Sequence, residues 1–430
     1  MPFETLRAAP RRIAVIGGGI AGMAAAHRLA DTSAVVLYEA ENRLGGHART
    51  VVAGKRKDQP VDTGFIVFNR VNYPNLVQLF EKLCVPTCES SMSFGASIKG
   101  GKLEYGLASL DSIFAQRRNV ADPRFLRMLS DILHFHRNAE ATATAPDMTV
   151  RELLGRLGTG AWFRDHYLTP FSGAIWSTPT AGILDFPAEA MIRFFRNHGL
   201  LQRDAHQWYT VKGGSVEYVR RLQSAMLTQG VDIRTGTPVA AVQREAGSVQ
   251  VRSHGGEWEL FDDVVLATHS DQTLRLLSDA TPAEAEALAA IRYQPNQAIL
   301  HSDTALMPKS RRAWSSWCYV EPKTGPGARI DLTYWMNSLQ QIPQDDPLFV
   351  TLNTEQPIRD ELIYDVNTFD HPVFDVAAMA AQARLRLMNG TRNTWFCGAW
   401  MRNGFHEDGF ASAVDVVEAM TGRQAPQYAA

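Results

Sequence analysis

The chain has 430 residues with 43 basic and 45 acidic side chains, a formal charge of −2. That balance excludes a polyanion binder, whose affinity needs many uncompensated Lys and Arg, so no nucleic-acid partner is expected. The length and a 45% apolar composition point to a folded protein of about two domains. The four cysteines, at 84, 88, 318 and 397, are too few and too scattered for a disulfide framework, which fits a reducing cytoplasm.

Arg7, Arg11 and Arg12 precede an apolar stretch broken by Gly17, Gly18 and Gly19, with no cleavage-site pattern, so a secretory signal is not expected. No window approaches the roughly 20 apolar residues of a spanning helix. The first predicted element is a short strand, Ile13-Ala14-Val15-Ile16, followed at once by Gly17-Gly18-Gly19-Ile20-Ala21-Gly22 and an Ala-rich helix to Leu29. This is G-x-G-x-x-G between a strand and a helix. Gly17 allows the tight turn, Gly19 the approach of a pyrophosphate, and Gly22 close helix packing, while the helix start offers free N–H groups to phosphate. A second strand, Ala34 to Tyr38, ends in Glu39, 22 residues past Gly17, the spacing of an acid that grips a ribose.

The following run contains Glu39, Ala40, Arg43, Gly45, Gly46, His47, Ala48, Arg49 and Thr50. It closely resembles the extended FAD-binding motif of the amine oxidase and phytoene desaturase flavoprotein superfamily. The resemblance implies FAD rather than NAD, and an α/β fold: a Rossmann-like FAD-binding domain interleaved with an α+β substrate domain. By residue chemistry, Gly45-Gly46 permits another close backbone approach, and Arg43 and Arg49 could neutralise pyrophosphate charge or belong to a solvated loop. The superfamily often has Arg where this chain has His47, so charge there is expected to depend on pH.

Next, Asp62 to Asn69 leaves this block past Thr63, Gly64 and Phe65, which by the resemblance neighbour the flavin ring; an ordinary strand start fits as well. From about 73 to 203 helical patterning dominates, with apolar spacing of three and four around Phe125 to Leu133. The Arg- and aromatic-bearing stretches Ala190–Leu201 and Arg311–Trp317 suit an interfacial surface, although periodicity favours core helices. Lys212-Gly213-Gly214-Ser215, the strand at Val239 and the strand Asp262 to Thr268 resemble further superfamily markers, Val239 being the implied adenine contact. At the far end, Thr394–Cys397 reads as a strand leading into Gly398. The segment from Gly404 through His406, Asp408, Gly409 and Phe410 then resembles the glycine-to-helix motif that faces the flavin. The resemblance thus implies an FAD domain from 1–72, 205–272 and 390–425, and a substrate domain from 73–204 and 273–389.

Two departures bear on substrate. The stretch Tyr293–His301 lacks the lysine that amine oxidases of the superfamily place before a strand, and His406 stands where they usually have a cage aromatic. Segments across the chain, including Trp314–Tyr319 and Thr333–Asn337, resemble a bacterial branch of fatty acyl desaturases acting on methyl-branched, monoenoic chains. In that branch Asn is expected at 318, where this chain has Cys318. The resemblance implies a fatty acyl lipid substrate, peripheral contact with the inner face of the cell membrane, and a lipid methyltransferase of the same pathway as partner. Hydride would pass to the flavin, with His406 or His47 handling the proton and Phe65, Tyr334 and Trp335 lining an apolar tunnel. An amine or small-molecule oxidase, and an FAD-binding accessory protein of a lipid-modifying enzyme, stay open. No metal site is expected: Cys84 and Cys88 lack a second pair, and His134 and His136 are wrongly spaced for one helix face.

Overall fold

The computed structural model describes residues 10–145, 147–176, 180–197, 199–201, 206–327 and 329–422. Five parallel strands form the first sheet, in the order Asp232–Arg234, Ala34–Tyr38, Arg12–Ile16, Asp263–Leu266, Thr394–Phe396. It is assembled from segments far apart in sequence: Val15 pairs with Leu37 on one side and Val265 on the other. The central strand is apolar from Ile13 to Ile16 because both its faces are buried there. Ile13 and Val15 pack under helix Ile20–Leu29 and the C-terminal helix His406–Thr421. Ala14 and Ile16 pack on a three-stranded antiparallel meander, Val239–Glu245, Ser248–Ser253 and Trp258–Phe261.

The second sheet has seven strands in the order Ile363–Val373, Arg292–His301, Phe349–Leu352, Leu332–Trp335, Trp317–Val320, Phe94–Ile98, Leu103–Gly106. Only Trp317–Val320 with Phe94–Ile98 pairs in parallel. One face lies beneath helices that include Pro123–Thr142, Val150–Leu157 and Ala188–Asn197. In the long helix Phe125, Met128, Ile132, Phe135 and Ala139 are buried at helical spacing, as the pattern predicts. Ala188–Asn197 buries Met191, Ile192, Phe194 and Phe195, so this stretch is a core helix. No helix among the described residues is long and apolar enough to cross a membrane.

Asp62 ties the two bodies together. Its fully buried carboxylate accepts from Thr50 Oγ1 (2.6 Å), Ser215 N (2.8 Å), Ser215 Oγ (2.7 Å) and Gln340 Nε2 (2.8 Å). It thus holds the start of helix Val216–Thr228 and, with the same side chain, the end of the short helix Met336–Leu339 that follows the strand Leu332–Trp335. Burial outweighs these bonds and pushes the carboxyl up to about 6.

Candidate active site

The glycine turn follows from sterics. A Cβ at Gly22 would sit 1.8 Å from Gly17 O, so only glycine lets the helix start this close to the strand. Gly19, by contrast, has nothing within 4 Å of such a position and caps the helix without any side-chain hydrogen bond. The first turn holding Ile20 and Ala21 contains no acidic residue, leaving its N–H groups open to an anion. Glu39 lies over the turn: Oε2 accepts from Gly18 N at 2.6 Å and Oε1 from Glu41 N at 2.8 Å. The second glycine pair closes onto the first, Gly45 N donating to Gly18 O at 2.8 Å. Ala40 is exposed beside Glu41, and Thr237 N donates to Glu39 O at 2.8 Å, which brings the strand of Val239 alongside.

The arginines act differently from the expectation. Arg43 donates to Gly46 O (2.9 Å) and Ala48 O (3.2 Å) and pairs with Glu41 (3.0 Å), so it shapes the loop from within. Arg49 grips Asp365 through both nitrogens, at 2.6 and 2.9 Å, and is already committed to a carboxylate. Thr63 also turns to Arg49, accepting from its Nη1 at 3.2 Å and pairing N to Arg49 O at 2.9 Å, rather than facing a ring. Gly64 is needed because a Cβ there would meet His47 O at 2.0 Å.

The C-terminal helix start meets the N-terminal one: a side chain at Gly409 would lie 2.9 Å from Ile20 Cγ2. Gly398 N donates to Ser412 Oγ at 2.8 Å. Backbone contact was expected at Asp408, Gly409 and Phe410; Asp408 lies in the open first turn, whereas Gly409 and Phe410 lie past it. Gly409 N already donates to Phe405 O (3.1 Å), and Phe410 lies further into the helix with its ring in the core. The unsatisfied N–H groups of a helix are those of its first turn, which begins at His406. Asp408 caps Phe405 N at 2.9 Å, and burial raises its carboxyl to about 6. Glu407 holds Asn75 N and Leu76 N at 3.0 Å each at the start of helix Pro74–Lys82, and burial raises it to about 7.

Between these features lies a cluster of rings. His406 stacks on Phe65 at 3.9 Å between centroids, and its Nε2 lies 2.6 Å from Tyr218 Oη. His47 approaches His371 (5.6 Å), Phe369 (4.9 Å) and His269 (6.0 Å). His269 in turn stacks on Tyr293 at 4.4 Å. His47, Phe65, His269, His371 and His406 are enclosed by protein yet keep open surface, so they line an internal cleft. Burial pulls His406 down to about 3 and His371 to about 4, and burial with the neighbouring imidazoles holds His47 well below the usual histidine value. The expected pH-dependent charge at His47 is therefore replaced by a neutral ring across the physiological range.

His371, Asn296 and Asn353 were not singled out from sequence, although the missing lysine had marked the strand carrying Asn296. Gln297 N donates to Asn353 Oδ1 (2.9 Å), which orients that amide; Asn353 Nδ2 donates to Asn296 Oδ1 (2.7 Å); Asn296 Nδ2 then donates to His371 Nδ1 (3.0 Å). Neutral His371 must carry its proton on Nε2 and presents a donor, not a base.

Tyr334 and Trp335 do not share a tunnel, because successive strand residues face opposite sides. Tyr334 packs into the helix-covered core, its ring 5.1 Å from Trp317. Trp335 lies on the outer face with Trp314, Met307, Cys318 and Phe349. Cys318 retains a polar contact there, accepting from Ser315 N at 3.3 Å, while burial pushes its thiol up to about 12.

An open glycine-capped helix start, a carboxylate beside it and a ring-lined cleft reached by both chain ends fit a flavin dinucleotide, and define an FAD-dependent oxidoreductase. The chain belongs to the flavin containing amine oxidoreductase family, whose profile matches residues 20–312. Its fold is similar to that of a putrescine oxidase (TM-score 0.70, 15% identity, covering 97% of this chain and 100% of that one). It is similar also to cyclohexylamine oxidase from Brevibacterium oxydans IH-35A (0.68, 16%, covering 96% and 99%). A CLA-producing fatty acid isomerase from P. acnes is a further structural relative (0.66, 16%, covering 96% and 98%). No curated protein matches the chain significantly.

Proposed function

We propose that this oxidoreductase desaturates a fatty acyl chain, one already monounsaturated and methyl-branched. The observation that carries the reading is a ladder of packed aromatic rings whose last member, Phe405, immediately precedes a residue of the ring cluster. Trp176 packs on Phe194 (4.9 Å), Phe194 on Phe405 (4.8 Å), and the next residue is His406, stacked on Phe65. An apolar chain suits such a path, and an ammonium substrate does not: among the described residues no carboxylate lines the cavity where the ladder begins.

Bound FAD supplies the two-electron oxidant that takes up hydride from a substrate C–H. Gly19, Glu39, Gly45 and Gly46 would hold its pyrophosphate and ribose, and the first turn beginning at His406 its ring system. An existing double bond weakens the allylic C–H, so the chain that loses hydride there and a proton from the next carbon gains a conjugated C=C. His406, neutral and bonded to Tyr218, suits a relay that passes the proton on at once; a group pulled to about 3 does not store it. Phe65 and Tyr334 flank the chain, and His371 offers its Nε2–H. Such lipid comes from the membrane, so contact with its inner face and a lipid methyltransferase acting earlier belong to the same proposal.

Anaerobic mixing of the yellow protein with amines, then with monounsaturated and methyl-branched phospholipids, tests this. Bleaching by the lipids, with one further C=C in the product, is expected. Bleaching by amines alone overturns the reading, and bleaching by nothing favours an accessory role.

A further inference from the structure

The ring ladder begins in a cavity of about 490 Å³ set between the substrate-domain helices, the helix Val376–Met388 and the turn before His406. Its apolar wall is Trp176, Phe186, Phe194 and Phe374, and its charged groups are Arg193, Arg386 and Arg402. We infer that this cavity is the head-group site of an amphipathic anion: the three arginines bind an anionic oxygen head, carboxylate or phosphate, while the apolar tail follows Phe194 and Phe405 toward His406. The inference rests on the acyl reading above and adds the charge of the head.

The arginines differ in how far they are committed. Arg402 holds Asp415 through Nη2 at 3.0 and 2.8 Å. Arg386 Nη2 donates to Met401 O at 2.5 Å, and neighbouring Gln382 donates to Trp400 O (2.8 Å) and Arg402 O (2.6 Å). These bonds fix the turn 400–403 but leave guanidinium N–H groups over. Arg193 has only a long contact of 3.4 Å with Glu189 on its own helix, both side chains about half exposed. A surface pair of that kind contributes little, so Arg193 can turn to a ligand at small cost. Among the described residues no acidic side chain lines the cavity itself; Asp415 and Glu189, which pair with Arg402 and Arg193, are not part of its wall. A fork of guanidinium donors recognises carboxylate or phosphate, and aromatic walls take the first carbons of a chain. The turn that carries Arg402 and Asn403 continues through Phe405 to His406, so a head held here places its tail on the path to the cleft.

The test uses full-length FAD-loaded protein and three probes with one tail: oleate, methyl oleate and oleylamine. Binding is read by quenching of the intrinsic fluorescence, to which Trp176 on the cavity wall contributes. Oleate should bind about tenfold more tightly than methyl oleate, the effect of one charge-assisted pair, and oleylamine most weakly. Arg193→Gln should remove most of the oleate preference while leaving methyl oleate binding and the melting temperature unchanged. Arg193→Glu should turn the preference toward oleylamine. Vesicles of dioleoylphosphatidylglycerol and dioleoylphosphatidylcholine separate the two sources: Arg193-dependent retention on the former, with no oleate preference, assigns the head as phosphate. Equal binding of oleate and methyl oleate, with equal retention on both vesicles, overturns the inference; if methyl oleate still bleaches the flavin, the acyl reading survives it. Failure of every lipid to bind overturns both.

Discussion

The surroundings of the five-stranded sheet and those of the seven-stranded sheet are specified by different physics. Around the five-stranded sheet the decisive contacts are made by backbone: glycines where a Cβ cannot fit, a helix start left open, and Gly45 N on Gly18 O. Around the seven-stranded sheet they are made by side chains from distant segments: Asn353 to Asn296 to His371, and Phe194 to Phe405. A backbone site tolerates little change at a few positions, whereas a side-chain site can be retuned residue by residue. That contrast explains how one family holds one cofactor over many substrates.

The contrast breaks first at Gly22. If backbone approach governs cofactor binding, Gly22→Ala forces a Cβ to within 1.8 Å of Gly17 O. Overpacking of about 3 kcal/mol then lowers FAD affinity roughly a hundredfold. The protein should purify colourless, with its substrate sheet intact by circular dichroism. A fully yellow Gly22→Ala protein would contradict the steric account.

Asp62 sits between the two bodies and should matter to both. Asp62→Ala leaves Ser215 N, Ser215 Oγ and Gln340 Nε2 without their acceptor, a loss of about 3 kcal/mol in denaturant unfolding. The pH dependence has a definite sign. Burial raises this carboxyl to about 6 in the folded state, above its unfolded value of roughly 4. Between these values the folded chain binds more protons, so its stability falls as pH rises through the window. Wild type should therefore gain stability relative to Asp62→Asn as pH is lowered from 7 to about 4.

In the cleft the expectation concerns proton handling. His406 is held at about 3 and His371 at about 4, so neither titrates near the ordinary histidine value. No limb of the kcat–pH profile near 6.5 should belong to His406: a limb there would report Asp408 or Glu407, raised to about 6 and about 7, and would persist in His406→Gln, which should lower kcat by about a hundredfold at every pH. A wild-type limb near that value that vanishes in His406→Gln would restore a conventional base. Unchanged turnover would remove His406 from the chemistry.

Legibility follows the same division. The Gly17 to Gly22 turn, Glu39 and the strands around Val15 and Leu37 are readable because strand, turn and helix follow one another within 30 residues and each obeys a local rule, and the distant strand at Val265 is readable from its own apolar run. For Arg49 the sequence left a phosphate neighbour and a solvated loop both open, and it could not show the pairing with Asp365, which lies 316 residues away, beyond any local pattern. Asp62 looked like part of a strand approaching the flavin, since two of its three partner residues, Ser215 and Gln340, come from remote segments. His371 carries no motif; only the pairing of Asn296 with Phe369 in the sheet brings Asn296 and His371 within reach. The C-terminal motif was found, yet its contact register slipped toward Phe410, because a helix start is set by the Asp408 cap rather than by the glycine.

The smallest effect should come from Trp335, and it sharpens the contrast most. From sequence it stood beside Tyr334 as a tunnel residue, but it meets Trp314 edge-on at 5.4 Å and lies 5.7 Å from the Arg311 guanidinium, on the far face of the sheet. Trp335→Phe should therefore lower stability by about 1 kcal/mol through lost ring and cation contacts. Its kcat/KM should stay within about twofold of wild type, since a residue that touches no substrate changes no transition-state binding. Tyr334→Phe keeps the ring in the helix-covered core and should be equally mild, whereas Tyr334→Ala should raise KM for an acyl substrate without changing FAD content. If Trp335→Phe instead reduces turnover while Tyr334→Ala does not, the substrate runs on the outer face of the sheet, and the ring ladder through Phe194 and Phe405 is not its path.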